Sequence, residues 1–286
     1  MRDQLRAAAL MSACLMSMTS FASGLIEIRP LSMPPQLDGD LGDWQLPVYQ
    51  ISLRPNRQAG TDLPATSEMA LRAGYLDGEV YFAFVWPDPH EDRLHKPYVW
   101  DTAREKYLRG HQREDRLAVQ LAISGDYNTD WFQSDGFVAD MWHWKASRSD
   151  PLGLADDKNT IVSHDRLLRS AHLKAPDGRS IYVLRQWDEG DSLYKTKRYR
   201  RYDGDLKPKY ILNPGPLKGS STDVNAASQW QDGHWSLELK RKLDTGHADD
   251  ARFVMGTDVL GGIAVFNRSE SPEHLISETL RFRLMP

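Results

Sequence analysis

The sequence predicts an all-β protein, an antiparallel β-sandwich with long loops and a few short helices. Three observations point there. Apolar and polar residues alternate with a period of two through most of the chain, no helical period competes with that alternation, and Asp-Gly dipeptides punctuate the alternating runs.

The first 23 residues stand outside that pattern. Arg2 and Arg6 precede an apolar run from Ala7 to Met18, and Ser20-Phe21-Ala22 supplies the small residues of a cleavage site, so the segment is expected to be a signal peptide cut after Ala22 or Ser23. The run is shorter than the roughly 20 apolar residues of a membrane-spanning helix, and no later segment approaches that length. Met11-Ser12-Ala13-Cys14 loosely resembles a lipoprotein cleavage box, with Met where Leu is usual. The expectation is a periplasmic protein without a membrane span. Cleavage removes Cys14, the only cysteine, so the mature chain enters an oxidising compartment with no disulfide available.

The strands follow in order. Val48 to Leu53 and Glu68 to Tyr75 alternate, and the turn Asp77-Gly78 leads into EVYFAFVW, where Val80, Phe82, Phe84 and Trp86 share one face. Leu117, Val119, Leu121 and Ile123 share a face of RLAVQLAI. Ile181 to Trp187 follows Asp177-Gly178, and Trp235, Leu237 and Leu239 share a face after Asp232-Gly233. Gly262 to Phe266 and Leu280 to Leu284 close the set. Between about Asp150 and Asn225 only one convincing strand stands out, so long loops are expected there rather than a second domain. Residues 24–286 are accordingly read as one domain, large enough to bury about three quarters of its unfolded surface.

The formal charge is −4, and −5 after cleavage, which argues against a nucleic-acid partner. Against that background Tyr194 to Tyr210, YKTKRYRRYDGDLKPKY, concentrates seven basic residues and four tyrosines. This reads as a solvated loop or as a docking patch for an acidic redox partner.

The most unusual stretch is ADMWHWKASR, Ala139 to Arg148. As a strand it places Asp140, Trp142 and Trp144 on one face and Met141, His143 and Lys145 on the other. The tryptophans would fill the core. Methionine, histidine and lysine can all ligate a metal or a haem iron, although a mixed solvent-facing surface would produce the same alternation.

Together with Asp150-Pro151-Leu152-Gly153-Leu154-Ala155-Asp156-Asp157, this stretch resembles the haem-binding domain of the ethylbenzene dehydrogenase gamma-subunit type, shared with gamma subunits of related molybdenum enzymes of the dimethyl sulfoxide reductase family. Leu37-Asp38-Gly39-Asp40 with Trp44, Tyr75 to Phe82, Glu114 to Leu117, Asp232 to Trp235 with Lys242 to Gly246, and Ile263 to Phe266 fall in that family's order. The resemblance covers nearly the whole mature chain. It implies an immunoglobulin-like β-sandwich holding one haem, often b-type, that passes electrons between an active site and an external carrier, without substrate chemistry of its own. The implied partner is a cytochrome or a molybdenum-enzyme subunit.

The chain departs from that family at two places. Its gamma subunits look to use a methionine shortly before the W-x-W segment and a lysine shortly before the D-G-x-W segment, where this sequence has Gln133-Ser134-Asp135-Gly136 and Ala226-Ala227-Ser228-Gln229. Another branch attaches haem through cysteine, which the mature chain lacks. A non-covalent haem b with other ligands, or a haem-free docking relative, follows. The candidates are Met141 and His143, with Lys145, Trp142 and Trp144 beside them and His234, Met255 and His274 behind. Met141 and His143 lie about 7 Å apart on one strand face, so they could not sit trans on one iron. A different class, a glycan-binding sandwich resembling family 9 carbohydrate-binding modules, would also use nine tryptophans.

Two other motifs are weak. His90-Glu91-Asp92-Arg93-Leu94-His95 spaces its histidines five apart instead of four, so on a helix they would diverge by about 140°, and the segment reads as a surface loop. Asp38 to Asp43 lacks the calcium-loop spacing and reads as a turn into Trp44.

Overall fold

The computed structural model describes residues 24–56, 67–267 and 274–286, with the backbone of 19–21. The cleavage site and Cys14 lie outside the described side chains. In chain order the strands are β1 (Thr19–Phe21), β2 (Leu25–Pro30), β3 (Val48–Pro55), β4 (Ser67–Leu76), β5 (Glu79–Pro87), β6 (Tyr98–Asp101) and β7 (Lys106–Arg109). Then come β8 (Arg116–Asp126), β9 (Gly136–Lys145), β10 (Asp156–Ser163), β11 (Ala171–Lys174), β12 (Ser180–Trp187), β13 (Tyr194–Thr196), β14 (Leu206–Lys207) and β15 (Tyr210–Leu212). The last five are β16 (Asn225–Gln231), β17 (His234–Lys242), β18 (Asp258–Phe266), β19 (Leu275–Ser277) and β20 (Leu280–Leu284).

One layer runs β11-β12-β10-β9-β8-β18 and the other β3-β4-β5-β17-β16. They are joined along one side, where β19 bridges β18 to β3 and β20 and β2 bridge β18 to β4. Pairing is antiparallel apart from β1 with β3 and β2 with β20 and β4. The all-β sandwich expectation is borne out. Helix is limited, among the described residues, to three single-turn 3-10 segments at Trp131–Gln133, Asp150–Leu152 and Ser220–Thr222. None of these helices is long and apolar enough to cross a membrane.

Alternation sets which side chains meet between the layers. Phe82 on β5 packs against Trp142 on β9 with ring centroids 5.6 Å apart, and Trp86 packs against Trp144 at 5.9 Å. Trp144 meets Trp235 of β17 edge-on at 4.9 Å. All five side chains are buried. A hydrophobic side chain of this size stabilises by about 1.5–3 kcal/mol on full burial, and edge-on aromatic pairs add roughly 0.5–1.5 kcal/mol beyond area. Two of the expected Asp-Gly turns have positive φ at both residues, 50° and 80° at Asp77-Gly78 and 51° and 77° at Asp232-Gly233, the geometry that matches strand twist in a two-residue hairpin.

The region from Asp150 to Asn225 holds six strands, β10 to β15, where one was expected. The strand β10 escapes a hydrophobicity reading because its first two core positions are carboxylates. Asp156 and Asp157 are buried, and each faces a cation: Asp156 meets Lys145, and Asp157 lies 3.2 Å from Arg241. The basic stretch is also structured. Tyr194 on β13 is partly buried and donates its hydroxyl to Asp156 Oδ2 at 3.1 Å, and β14 pairs with β6 in a separate three-stranded sheet with β7.

Candidate functional site

On the face of β9 turned away from the core, Met141 and His143 form part of the floor of a cavity of about 700 Å³. The pleat of β9 explains the placement: Trp142 and Trp144 take the core side, so Met141 and His143 take the other. Neighbouring strands complete the floor with Ala118 and Gln120 from β8 and Gly262 and Ala264 from β18. Gly262 is required there, because a Cβ would stand 2.3 Å from Thr129 Cγ2 and 2.9 Å from the Tyr127 hydroxyl. Those two residues belong to the segment that runs into the 3-10 turn at Trp131–Gln133 and closes one side.

The walls are apolar, with Phe132, Leu173 and Val183 on one side and Phe266 and Ile276 on the other. Cations surround them. Arg116, Lys158, Arg169 and Arg185 all line the cavity. Lys158 Nζ sits 3.8 Å from the ring centroid of Trp187, and the Arg185 guanidinium lies 5.2 Å from that of Trp131. Burial pushes Lys158 down to about 8. A ligand of drug size or larger with an apolar body and anionic groups matches this combination.

The two side chains on the floor differ in their partners. Met141 is buried, and its thioether lies 3.9 Å from both Gln120 Nε2 and Thr160 Oγ1. His143 is partly exposed as a residue, yet both ring nitrogens are shielded and neither has a hydrogen-bond partner. Its ring stacks against Phe266 at 6.0 Å, and the far face of this stack is taken up by His274, which stacks on Phe266 at 4.4 Å. Burial, reinforced by Lys145, Lys158 and Arg116, holds the His143 imidazole well below its ordinary pKa. It is therefore neutral at physiological pH, with a lone pair facing no proton donor. That is the state in which histidine ligates a metal.

The other sequence candidates are distributed elsewhere, with one exception. His274 lines the same cavity and is hydrogen-bonded through Nε2 to Asn56 Nδ2 at 3.0 Å. Lys145 lies on the same strand face as His143 but is turned into an ion pair with Asp156 and a 3.1 Å hydrogen bond to the Tyr194 hydroxyl, which removes it from the cavity. Trp142 and Trp144 are core residues that do not line it; Trp142 Nε1 donates to Asp140 Oδ2 and Trp144 Nε1 to Asp150 Oδ1. His234 lies exposed on a separate cleft of about 440 Å³, and Met255 is exposed in the turn before β18. The reading of His90 to His95 as a surface loop is corrected at one end. His90 is exposed, but His95 is buried with Nδ1 3.2 Å from Glu114 Oε1, and burial pushes it down to about 2.

The positions matching the family's usual ligand pair do not converge on this cavity. Gln133 is exposed on the 3-10 turn beside it, whereas Ala226 is buried in β16 of the opposite layer. Charge at Arg116, Lys158, Arg169 and Arg185 is a part of the site that sequence reading missed, since the four residues are dispersed over 70 positions and only the sheet gathers them.

The sequence matches the family described as Ethylbenzene dehydrogenase over residues 42–274, most of the chain. The chain belongs to that family. No curated protein matches it. Among solved structures it is similar to a family 9 carbohydrate-binding module from Caldicellulosiruptor kristjanssonii in complex with glucose, with 10% identity, 92% of this chain and 97% of that chain covered, and a TM-score of 0.38. It is also similar to a putative carbohydrate-binding protein from Bacteroides uniformis, with 8% identity, 90% and 89% covered, and a TM-score of 0.42.

Proposed function

We propose that this member of the ethylbenzene dehydrogenase family is an exported haem b protein that carries electrons, as a non-catalytic subunit of or a partner to a molybdenum oxidoreductase. The observation that carries the reading is His143: a neutral imidazole with two shielded, unpartnered ring nitrogens on the floor of a 700 Å³ cavity. An orphaned buried polar group costs about 1–3 kcal/mol, and ligation would offset that cost. Haem would supply a one-electron couple whose potential is set by its axial ligand and surroundings. In this reading His143 would hold the iron, Leu173, Val183 and Ile276 would exclude water, and Arg116, Arg169 and Arg185 would offer positive charge to the carboxylates of the group. Met141, on the same strand face, would be the alternative residue to hold it.

The test is an absorption spectrum of the exported, cleaved protein prepared with haem available, oxidised and then reduced with dithionite. The expected result is a sharpened b-type band on reduction that is lost in His143→Ala and kept in Trp187→Ala. A featureless spectrum at saturating haem sinks the reading.

A glycan-binding function is the second reading, favoured by one observation: Trp187, 44% exposed, stands at the edge of the same cavity. The other cleft offers no aromatic platform, because its one tryptophan, Trp235, is fully buried. Tight retention of a sugar by the haem-free protein, abolished in Trp187→Ala, would favour this alternative.

A further inference from the structure

The layer opposite the haem-sized cavity carries a cleft of its own, of about 440 Å³. Its floor is the outward face of four strands: Arg72 on β4, Val85 on β5, His234 and Ser236 on β17, and Gln229 and Gln231 on β16. Register makes them neighbours. Val85 pairs with Ser236, Ser236 with Gln229 and His234 with Gln231, while Arg72 pairs with Ala83, two residues before Val85.

The segment from Gly39 to Leu41 forms a wall, and the sheet fixes it in place. Glu238, outward on β17, accepts the Asp38 N–H at 3.0 Å and the Gly39 N–H at 2.7 Å. Ser236 Oγ donates to the Gly39 carbonyl at 2.6 Å and Gln229 Nε2 to the Asp38 carbonyl at 3.0 Å. Gly39, at φ 84°, approaches β16 so closely that a Cβ would stand 2.6 Å from the Ser228 backbone. The cleft is therefore built in advance of any ligand, which lowers the ordering cost of binding.

One charge in this frame is unanswered. Arg72 is half-buried, its Nε is shielded and, among the described residues, nothing accepts a hydrogen bond from its guanidinium or forms an ion pair with it. Arg241 on β17 is the contrast, with Nη1 2.7 Å from Asp140 Oδ2, 3.2 Å from Asp157 Oδ2 and 3.1 Å from Asp250 Oδ1. Arg72 serves no carboxylate of the chain, yet a guanidinium stays charged. Its counterpart is an anion from outside, held in the forked geometry that a carboxylate accepts. Asp40 and Asp232 also line the cleft, so a doubly charged phosphate is repelled where a single carboxylate is tolerated. The other floor groups suit hydroxyls: the Gln231 amide, the Ser236 hydroxyl, and His234, whose Nδ1 donates to the Asp232 carbonyl at 3.1 Å and leaves Nε2 of the neutral ring as an acceptor.

We propose that this cleft binds a hexuronic acid, with Arg72 on the sugar's carboxylate and Gln231, Ser236 and His234 on its hydroxyls. The site is independent of haem, since it lies on the other layer from His143 and uses no residue of that cavity.

The experiment is calorimetric titration of the mature protein with sodium glucuronate, sodium galacturonate and, as the neutral counterpart, glucose. One site per chain is expected for at least one uronate, with glucose at least tenfold weaker. Arg72→Gln is expected to lose at least tenfold in uronate affinity while melting within about 2 °C of wild type, because it strips no partner from the fold. Gln231→Ala, on an exposed edge strand, is expected to weaken uronate binding with no change of charge, and Trp187→Ala to leave it as it is. Absence of saturable binding for both uronates, equal affinity for glucose, or undiminished binding in Arg72→Gln would overturn the proposal. Loss of binding in Trp187→Ala alone would overturn it too, by placing the sugar in the other cavity.

Discussion

Arg241 on β17 donates from Nη1 to Asp140 Oδ2 on β9 at 2.7 Å, across the middle of the sandwich, with neither side chain exposed. The same guanidinium donates from Nη2 to the Ala251 carbonyl at 2.7 Å and lies over the Trp142 ring at 4.6 Å. Asp140 Oδ2 in turn accepts the Ala251 N–H and the Trp142 indole N–H. A buried cation here ties both layers to the segment leading into β18. Arg241→Ala would leave three buried carboxylates without their counter-charge, and breaking such a set costs about 3–5 kcal/mol. Urea unfolding is expected to show a loss of that size, with Arg241→Lys in between because one ammonium cannot reproduce the forked geometry.

A second buried carboxylate pair makes stability depend on pH. Asp115 Oδ2 accepts the Trp235 indole N–H at 3.1 Å and the Asp92 N–H at 2.7 Å, and its other oxygen is without a partner beside Asp88. Burial, then the facing Asp88 carboxylate, pushes Asp115 up to about 8; burial pushes Asp88 up to about 6. A folded pKa above the unfolded value near 3.9 means that the folded state holds the extra proton, so the contribution is complete below about pH 4 and is lost as pH rises towards 8. Wild type is expected to lose Tm between about pH 7.5 and 8.5, a window that begins a full unit above the unfolded histidine value of about 6.5. Asp88→Asn should flatten that slope; melts that run parallel in the two proteins would refute the shared proton.

The core tryptophans supply a contrast to the cavity. Trp144 packs on Trp86 and Trp235 and donates its indole N–H to Asp150 Oδ1 at 2.9 Å. Trp144→Ala is expected to cost about 3–5 kcal/mol through the void alone, with a further penalty for the stranded Asp150 oxygen. The same Asp150 oxygen also accepts Ser228 Oγ at 2.6 Å, so part of that penalty is covered. Any residual cofactor affinity in this variant should fall only in proportion to the fraction unfolded, which circular dichroism and cofactor titration read separately.

Much of this architecture is visible in the primary structure because the strands of both layers bury one face, which period-two alternation records directly. Phe82, Phe84 and Trp86 on β5 and Trp235, Leu237 and Leu239 on β17 are examples. The signal fails where polar groups are buried. Asp156, Asp157 and Lys145 occupy interior positions as charge pairs, so β10 reads as a loop and Lys145 reads as a ligand. The cavity floor was half legible: alternation puts Met141 and His143 together, but which of them has unpartnered atoms depends on Gln120 and Thr160, which reach Met141 from strands on either side. His274 was legible only as a residue type, since its place beside Phe266 is made by the crossing from β18 to β19.

The orphaned nitrogens of His143 make the site costly in the absence of a ligand, and that cost is measurable. In the haem-free protein, His143→Phe replaces two unpartnered polar atoms with carbon in an apolar stack against Phe266, so it should stabilise by about 1–3 kcal/mol. The gain has a defined pH dependence. Burial first, then Lys145 and Lys158, lower the folded pKa of His143, so below the unfolded value of about 6.5 the unfolded chain takes up a proton that the folded chain refuses. His143 therefore subtracts up to about 1.36 kcal/mol of stability per pH unit as pH falls from about 6.5, a component that His143→Phe lacks, while the loss due to buried His95 is common to both. The gap between the two should widen from pH 7 to pH 5 in urea titrations of the haem-free forms. If the phenylalanine variant is instead less stable at pH 7, the His143 ring is satisfied by water in solution, and its claim as the ligand would have to rest on the spectrum alone.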